Sequence, residues 1–465
     1  MKVDPLELSR ERPELSAITP IVLRQKLTLG LLCVVIVFLS YKYPMATAKG
    51  FVGVCTLFYV VFSAYKLLLV RLSVTHRSNV GVTDEEMAEL RDEELPVYSI
   101  MVPMYDEAEV VESLVGSLEK LDYPADKKDV QLLVEEDDSD TRAAVEKLDL
   151  PIGFRVTLIE KSHPRTKPKA CNIGLAEAKG KYLVIYDAED RPDPDQLRKA
   201  VVAFGRLPKD VVCLQSMLNF YNPRQNMLSR WFTAEYSAWF DLSLPGLSAI
   251  GAAIPLGGTS NHFITDKLRE LRGWDAFNVA EDCDLGIRIY RAGYKTRMLN
   301  TTTWEEACCD LSFWIRQRTR WMKGYMQTYF VHMRYPVTLL RELGVWSFFH
   351  FQMLIGGVVF SFLISPFYWM LALLWFVFRL GILTTLFPGV IFALGATCLF
   401  AGNFVFAYIG AVGCYQRGYH DLVKYSLLAP GCWVLMSYSG WRAFLQFFSN
   451  PFYWEKTKHG RAEES

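Results

Sequence analysis

Carboxylates recur in this chain where a bound diphosphate, or the cation that neutralises one, could use them. Glu135-Glu136-Asp137-Asp138-Ser139-Asp140 follows one short apolar run and Asp187-Ala188-Glu189-Asp190 follows another. Two acids two residues apart at a strand end, as Asp187 and Glu189 are, can hold a hard divalent cation. A solvated turn is the plainer use of one such triplet. A third cluster, Glu281-Asp282-Cys283-Asp284, opens an amphipathic stretch running to Gly293, where acids also serve as caps and complement the helix dipole. Arg316-Gln317-Arg318-Thr319-Arg320-Trp321, followed by Lys323, is a cationic and aromatic element on an expected helix. Its alternative is a basic helix lying on anionic lipid, a role that suits Arg318 and Lys323. Gly257-Gly258-Thr259-Ser260 is a close-approach loop or a simple turn.

Strand-like runs at 97–103, 130–134, 182–186 and 211–217 alternate with amphipathic stretches at 108–120 and 196–204, which predicts an α/β domain with a mostly parallel sheet. Ligands of such sheets bind at the carboxyl ends of the strands, which is where the first two acidic clusters fall. Apolar runs at 27–43 and 51–70, joined by a turn with Pro44 and Gly50, predict a transmembrane hairpin rather than a cleaved signal peptide. Arg10, Arg12, Arg24, Lys26, Arg71 and Arg77 outside it outnumber Lys42 and Lys49 between the runs, placing both ends in the cytoplasm. Further candidate spans lie near 345–364, 366–380, 388–412 and 425–446; the stretch 345–378 reads as two spans hinged at Pro366 or as an interfacial helix plus one span. The expected organisation is a hairpin over 1–72, a cytosolic domain over 73–340, about four membrane helices over 341–449 and a cytosolic tail over 450–465.

The 465 residues carry no net charge and are 51% hydrophobic, which excludes disorder and phosphate-backbone recognition of nucleic acid. Ten cysteines without paired CxxC motifs, Cys308-Cys309 included, read as reduced thiols and not as a disulfide framework or zinc site.

Taken in order, Pro103-Met104-Tyr105-Asp106-Glu107, the acids at 135–138, Lys167-Pro168-Lys169-Ala170-Cys171-Asn172, Asp187-Ala188-Glu189, Gly257-Gly258-Thr259-Ser260, Glu281-Asp282 and Gln317-Arg318-Thr319-Arg320-Trp321 resemble the inverting family 2 glycosyltransferases. The resemblance implies an α/β GT-A (Rossmann-like) cytosolic domain inserted between transmembrane helices. The Gln-Arg-x-Arg-Trp element and the flanking spans resemble the processive synthases of cellulose, hyaluronan and chitin. Tyr-Asp-Ala-Glu-Asp-Arg-Pro at 186–192, Gly-Gly-Thr-Ser-Asn-His-Phe at 257–263 and the tail at 451–460 look most like bacterial exopolysaccharide β-glucan synthases of the XagB type.

Carried over by position, the resemblance places Pro103, Tyr105, Glu107 and Glu136 around the nucleotide, with a glutamate at 136 where an aspartate usually meets the base. Asp187 and Glu189 match the metal motif for Mg²⁺ or Mn²⁺, the glutamate standing for a usual aspartate. Lys169 matches a basic residue beside the diphosphate; a solvated loop lysine is its alternative. Asp282 falls on the catalytic base, which fits an inverting transfer that needs one group to deprotonate the acceptor hydroxyl. Gln317, Arg320 and Trp321 match the element that holds the diphosphate and the acceptor terminus, through a guanidinium fork and a flat indole face. Gly258, Thr259, Ser260 and Glu281 match the acceptor side. Trp454 to Gly460 resembles the gating loop of cellulose synthases, or is a basic juxtamembrane anchor.

The expected activity is transfer from a nucleotide-sugar, UDP-glucose first, to a growing β-linked glycan at the plasma (inner) membrane, with extrusion through the spans and an accessory export protein as a further partner. Phe348, Phe349, Phe351, Tyr368, Trp369, Trp375 and Phe376 could stack on sugars along a channel or simply face lipid. The alternatives are one transfer to a lipid acceptor, GDP-mannose as donor for a β-mannan, and a nucleotide-sensing membrane protein without activity. Against the last stand the missing P-loop and the lack of charges in the spans other than Lys66, which can snorkel.

Overall fold

The computed structural model describes residues 4–76, 79–379, 381–398 and 402–455, the side chains of 382–384 excepted. Arg77 and the tail from Lys456 to Gly460 lie outside them.

Eight strands form one mixed sheet: β1 (Tyr98–Met104), β2 (Lys128–Glu135), β3 (Phe154–Ile159), β4 (Tyr182–Ile185), β5 (Arg191–Pro192), β6 (Val211–Phe220), β7 (Asn261–Ile264) and β8 (Lys295–Glu305). Their order is β3-β2-β1-β4-β7-β6-β8-β5. β1, β2 and β6 are buried almost throughout because helices or loops cover both faces. β7 runs antiparallel to β4 and β6, with Asn261 opposite Ile185 and Gln215. That reversal has a functional effect. The loop preceding β7, Gly257 to Ser260, comes to the same edge of the sheet as the acids that follow β4.

Twelve helices matter for the site. α1 (Leu23–Lys42) and α2 (Pro44–His76) form the N-terminal pair. α3 (Val111–Glu119), α4 (Lys167–Glu177) and α5 (Gln196–Arg206) belong to the α/β domain. α6 (Met227–Ala238) and α7 (Leu244–Ala249) run between the sheet and the apolar helices. α8 (Glu281–Arg291) and α9 (Leu311–His332) carry two of the chemical motifs, with Asp310 capping α9 through the amides of Ser312 and Phe313. α10 (Pro336–Phe378), α11 (Asn403–Gln416) and α12 (Ala429–Ser449) complete the C-terminal half.

Among the described residues, α1, α2 and α10 are long and apolar enough to cross a membrane. α1 leaves Leu27, Leu31, Val34 and Val37 exposed along its length, which lipid tolerates and water does not. The stretch 345–378 is one continuous helix, not two spans hinged at Pro366. Pro366 lies within it, and the break falls at Gly344, whose φ of 74° suits a residue without a Cβ. One hydrophobic cluster runs from Leu218 and Phe220 on β6 through Phe232, Trp314 and Met326 to Tyr65, Leu69, Leu354 and Phe447, so the sheet and the apolar helices share a core. Where α7 meets α2, a Cβ added to Gly246 would lie 2.3 Å from Leu69 O.

The segment before α1 is tied into the fold. Ser16 Oγ and Ala17 N donate to the Asp275 carboxylate at 2.7 and 2.5 Å. Arg334 donates to the carbonyls of Pro13, Ser16 and Thr19, and Asn172 Nδ2 to Pro5 O. This strap lies across the loop that feeds α8.

Candidate active site

Three loops meet where the strand ends converge: 187–190 after β4, 257–260 before β7, and the start of α8. The first is folded by its own last residue. Asp190 accepts from the Asp187 amide at 2.8 Å and from the Thr259 hydroxyl, so the acidic loop and the glycine loop are tied together. Lys167, at the first turn of α4, donates to Gly258 O at 2.8 Å and pairs with Asp187. A Cβ on Gly258 would sit 3.4 Å from Asp282 Oδ2 and 3.9 Å from Lys167 Nζ. Asp187, Lys167, Gly258 and Asp282 therefore surround one point.

The start of α8 is fixed from behind. Asn278 Nδ2 donates to Thr328 Oγ1 at 3.0 Å and Val279 N to Gln327 Oε1 at 2.9 Å. Gly324 of α9 packs so closely that a Cβ there would meet Ala280 Cβ at 2.3 Å. On this rigid turn Asp282 Oδ1 accepts from the Cys283 amide at 2.7 Å. Burial raises the Asp282 pKa, against partial relief from that amide, Lys167 and Arg320. Burial and the neighbouring Asp282 push Glu281 up to about 8. Glu281 therefore holds a proton at neutral pH, which spares Asp282 a second negative charge beside it.

The acids opposite repel one another. Burial, then Asp187 and Glu189, lift Asp190 well above the ordinary aspartate range. Burial, then Asp190, Glu189 and Asp187, do the same for Glu305 at the end of β8. Burial works against the Lys167 ammonium, but Asp187 and Glu281 more than offset it and hold its pKa above the usual lysine value. Four carboxylates facing so little positive charge, with Asp190 Oδ1 buried and unpartnered, have the oxygen-donor chemistry of a hard divalent cation site. Among the described residues no three such side chains stand ready in ligating geometry; Asp187 is turned onto Lys167.

Gln317, Arg320 and Trp321 line the same cavity from α9. Gln317 Oε1 and Arg320 Nε are buried with no partner, which leaves polar capacity for a ligand. The Arg320 guanidinium stacks on Trp454 at 4.5 Å, so the described start of the tail closes over this element. Glu455 is held by Arg442 and Gln446, both at 2.6 Å.

Several expectations are corrected. Lys169 does not face the cavity: it is buried, donating to the carbonyls of Glu160 and Ser162 near Glu135. Lys167 stands there instead, because residues two apart on a helix point to opposite sides. The Ser260 hydroxyl is spent on Thr303 at 2.5 Å and is fully buried, so it braces the sheet. Arg318 and Lys323 do not lie on lipid. Arg318 grips both oxygens of Glu235 at 2.7 and 2.6 Å, and Lys323 donates to Tyr453 O and Gln446. Pro103, Tyr105, Glu107 and Glu136 are not among these corrections: they sit at the ends of β1 and β2, outside the cavity lining, where the Arg165 guanidinium lies 5.5 Å from the Tyr105 ring. Of the aromatics expected along a channel, Tyr368, Trp369, Trp375 and Phe376 line the cavity, whereas Phe348, Phe349 and Phe351 belong to the core. Glu305 and Lys167 escaped sequence reasoning; the end of an unrecognised strand and the first lysine of Lys-Pro-Lys were the available signals.

The cavity has a volume of about 1160 Å³ and does not stop at Trp321. It continues past Tyr236 and Trp239 to Tyr59, Lys66, Phe362, Trp369 and Trp433 on the apolar helices.

Comparison with known proteins agrees with this arrangement. Residues 96–324 match the family described as Glycosyltransferase like family 2. The chain is 25% identical over 311 residues to the probable glycosyltransferase YdaM of Bacillus subtilis, covering 64% of this chain and 72% of that one. It is 27% identical over 246 residues to glucomannan 4-beta-mannosyltransferase 1 of Oryza sativa, covering 51% of this chain and 46% of that one; it thus spans less than half the length of that relative. Among solved structures, a mannosyltransferase from Pyrobaculum calidifontis in complex with GDP-Man and Mn²⁺ aligns with 84% of this chain and 98% of its own, at 18% identity and a TM-score of 0.47. The α/β domain is GT-A-like, and its activity is that of a glycosyltransferase.

Proposed function

We propose, for a chain that carries a family 2 glycosyltransferase domain over residues 96–324, that it polymerises a sugar from a nucleotide-sugar into a β-linked polysaccharide, inverting the anomeric carbon, and passes the product into its apolar helices. The observation that supports this is the continuity of one cavity from Asp282, Arg320 and Trp321 to aromatic residues on α2, α10 and α12. A transferase that adds one sugar needs no such extension.

In this reading the terminal acceptor hydroxyl meets Asp282. Its oxygen attacks C1 from the face opposite the diphosphate, the proton passes to the Asp282 carboxylate, and the bond from C1 to the diphosphate oxygen breaks. Lys167 and Arg320 face the leaving diphosphate, and Trp321 gives the acceptor ring a flat surface. Protonated Glu281 keeps a second negative charge away from the base. Asp187 and Glu189 would hold a divalent ion, which when bound would supply charge neutralisation for the diphosphate. Tyr105 and Glu136, at the ends of β1 and β2, are placed for the nucleoside.

Two donors remain in play. The resemblance to exopolysaccharide β-glucan synthases supports UDP-glucose, and relatives named glucomannan 4-beta-mannosyltransferases support a mannose donor such as GDP-mannose equally well. The excess of basic residues flanking the hairpin supports a cytosolic face for the domain, at the plasma membrane. The test is nucleoside diphosphate release by the purified protein across UDP- and GDP-sugars with Mg²⁺ or Mn²⁺, sizing the product in the same tubes. A long glycan from one donor supports the proposal and names the sugar; a single-sugar lipid product refutes polymerisation.

A further inference from the structure

Lys66 lies inside α2, where an ammonium in contact with lipid is costly and functional unless it reaches an interface. It does not snorkel. Its side chain lines the cavity, with Nζ 5.2 Å from the centre of the Trp239 ring and 5.6 Å from that of Phe62. Among the described residues no hydrogen bond or ion pair holds it. Glu235, on the wall of the same cavity, is already engaged by both terminal nitrogens of Arg318. The ring faces offset part of the cost of the charge, but an ammonium has three donors and no acceptor among the described residues meets them.

The position of this lysine follows from its neighbours. Trp239 adjoins Phe240, whose ring lies 3.0 Å from where a Cβ of Gly257 would be, and Gly258 adjoins Asp282. Passing from the base toward the apolar helices, a ligand leaves the glycine loop and meets Trp239 and Lys66 next. From this we infer that Lys66 and Trp239 form a binding subsite for the nascent glycan, holding sugar units already added: the indole stacks on a ring face and the ammonium donates to its hydroxyl oxygens. A neutral glycan suits the site better than a lipid phosphate, since the Glu235 carboxylate shares the wall and the side chains flanking the Lys66 ammonium are the flat rings of Trp239 and Phe62. The inference rests on the polymerase reading and deepens it: this subsite sets how many transfers occur before the chain is released.

The experiment uses the full chain in detergent with its active donor. Product length is compared at equal donor consumption for the unmodified protein, Lys66→Met, Lys66→Arg and Trp239→Leu. Thermal shifts are recorded with β-1,4-linked glucan and mannan hexasaccharides, and with UDP and GDP as a check that the donor site is folded. Lys66→Met is expected to shorten the product and to weaken hexasaccharide binding about tenfold, the worth of one hydrogen bond from a charged donor. Lys66→Arg should restore much of both, and Trp239→Leu should shorten the product with the lysine in place. Should Lys66→Met fail the folding check, Trp239→Leu decides. Unchanged product length and hexasaccharide binding in the folded variants overturn the subsite while leaving the polymerase reading intact. A single-sugar lipid product from the unmodified protein overturns both.

Discussion

Replacing Lys167 with methionine keeps the volume of the side chain and removes the ammonium that joins the acidic loop to the glycine loop. Lys167 donates to Gly258 O at 2.8 Å and pairs with Asp187, the two side chains being 16% and 33% exposed. A charge-assisted bond of this kind is worth about 1.5–3 kcal/mol, and the exposure of Asp187 argues for the lower half of that range. At about 1.4 kcal/mol per decade, kcat/KM is expected to fall about 10- to 50-fold. The assay is the initial rate of nucleoside diphosphate release at donor concentrations below KM. Lys169→Met serves as the contrast, since it strips donors from the buried carbonyls of Glu160 and Ser162. It should lower the melting temperature and leave kcat/KM of the folded protein within about threefold. The opposite pattern, with Lys169→Met inactive yet stable and Lys167→Met close to the unmodified protein, would refute the geometry of the site.

Asp282→Asn should lower kcat about 10²- to 10⁴-fold while calorimetry still detects donor binding; retained turnover removes Asp282 from the role of base. Because burial raises the Asp282 pKa and a base works only when ionised, activity should rise with pH through a limb above the free aspartate value of about 3.9. A kcat/KM profile with its acid limb at or below that value contradicts the assignment. Arg318→Met breaks a pair in which the arginine side chain is 2% exposed and Glu235 is 41% exposed. A fully buried pair broken in this way costs about 3–5 kcal/mol, so with Glu235 partly solvated a loss of about 2–3 kcal/mol is expected in denaturant melts. An unchanged midpoint would return Arg318 to the lipid surface.

Much of this architecture is legible from residue patterns, for physical reasons. β1, β2, β4 and β6 each hold an apolar stretch, at 100–104, 132–134, 182–185 and 211–214, and a strand buried on both faces tends to carry one. Asp187 and Glu189 were locatable because ligand sites form at strand ends. β7 was not legible: four residues, Asn261 to Ile264, with an asparagine and a histidine among them, gain their strand character from pairing with β4 and β6. Without β7 and β8 there was no reason to bring Glu305 to the site. The choice between Lys167 and Lys169 turned on where α4 begins, and a shift of two residues reverses the face presented. Phe348, Phe349 and Phe351 look no different in sequence from Trp369 and Trp375; only their packing into the core cluster separates the two groups. The same holds for Lys66, whose apolar surroundings do not say whether they are lipid or a hollow in the protein.

The N-terminal strap bears on how this protein is made. Its partners, Asp275 and Arg334, follow it by 258 to 321 residues. The strap leaves the ribosome before α1 and α2, yet Asp275 and Arg334 emerge only when most of the chain exists. The loop that carries Asp282 is therefore braced only once chain growth has passed Arg334. A fragment begun at residue 73 to obtain a soluble enzyme lacks the strap, and the Asp275 carboxylate is then left buried without the Ser16 hydroxyl and the Ala17 amide. The hydropathy boundary of the catalytic domain is not its folding boundary.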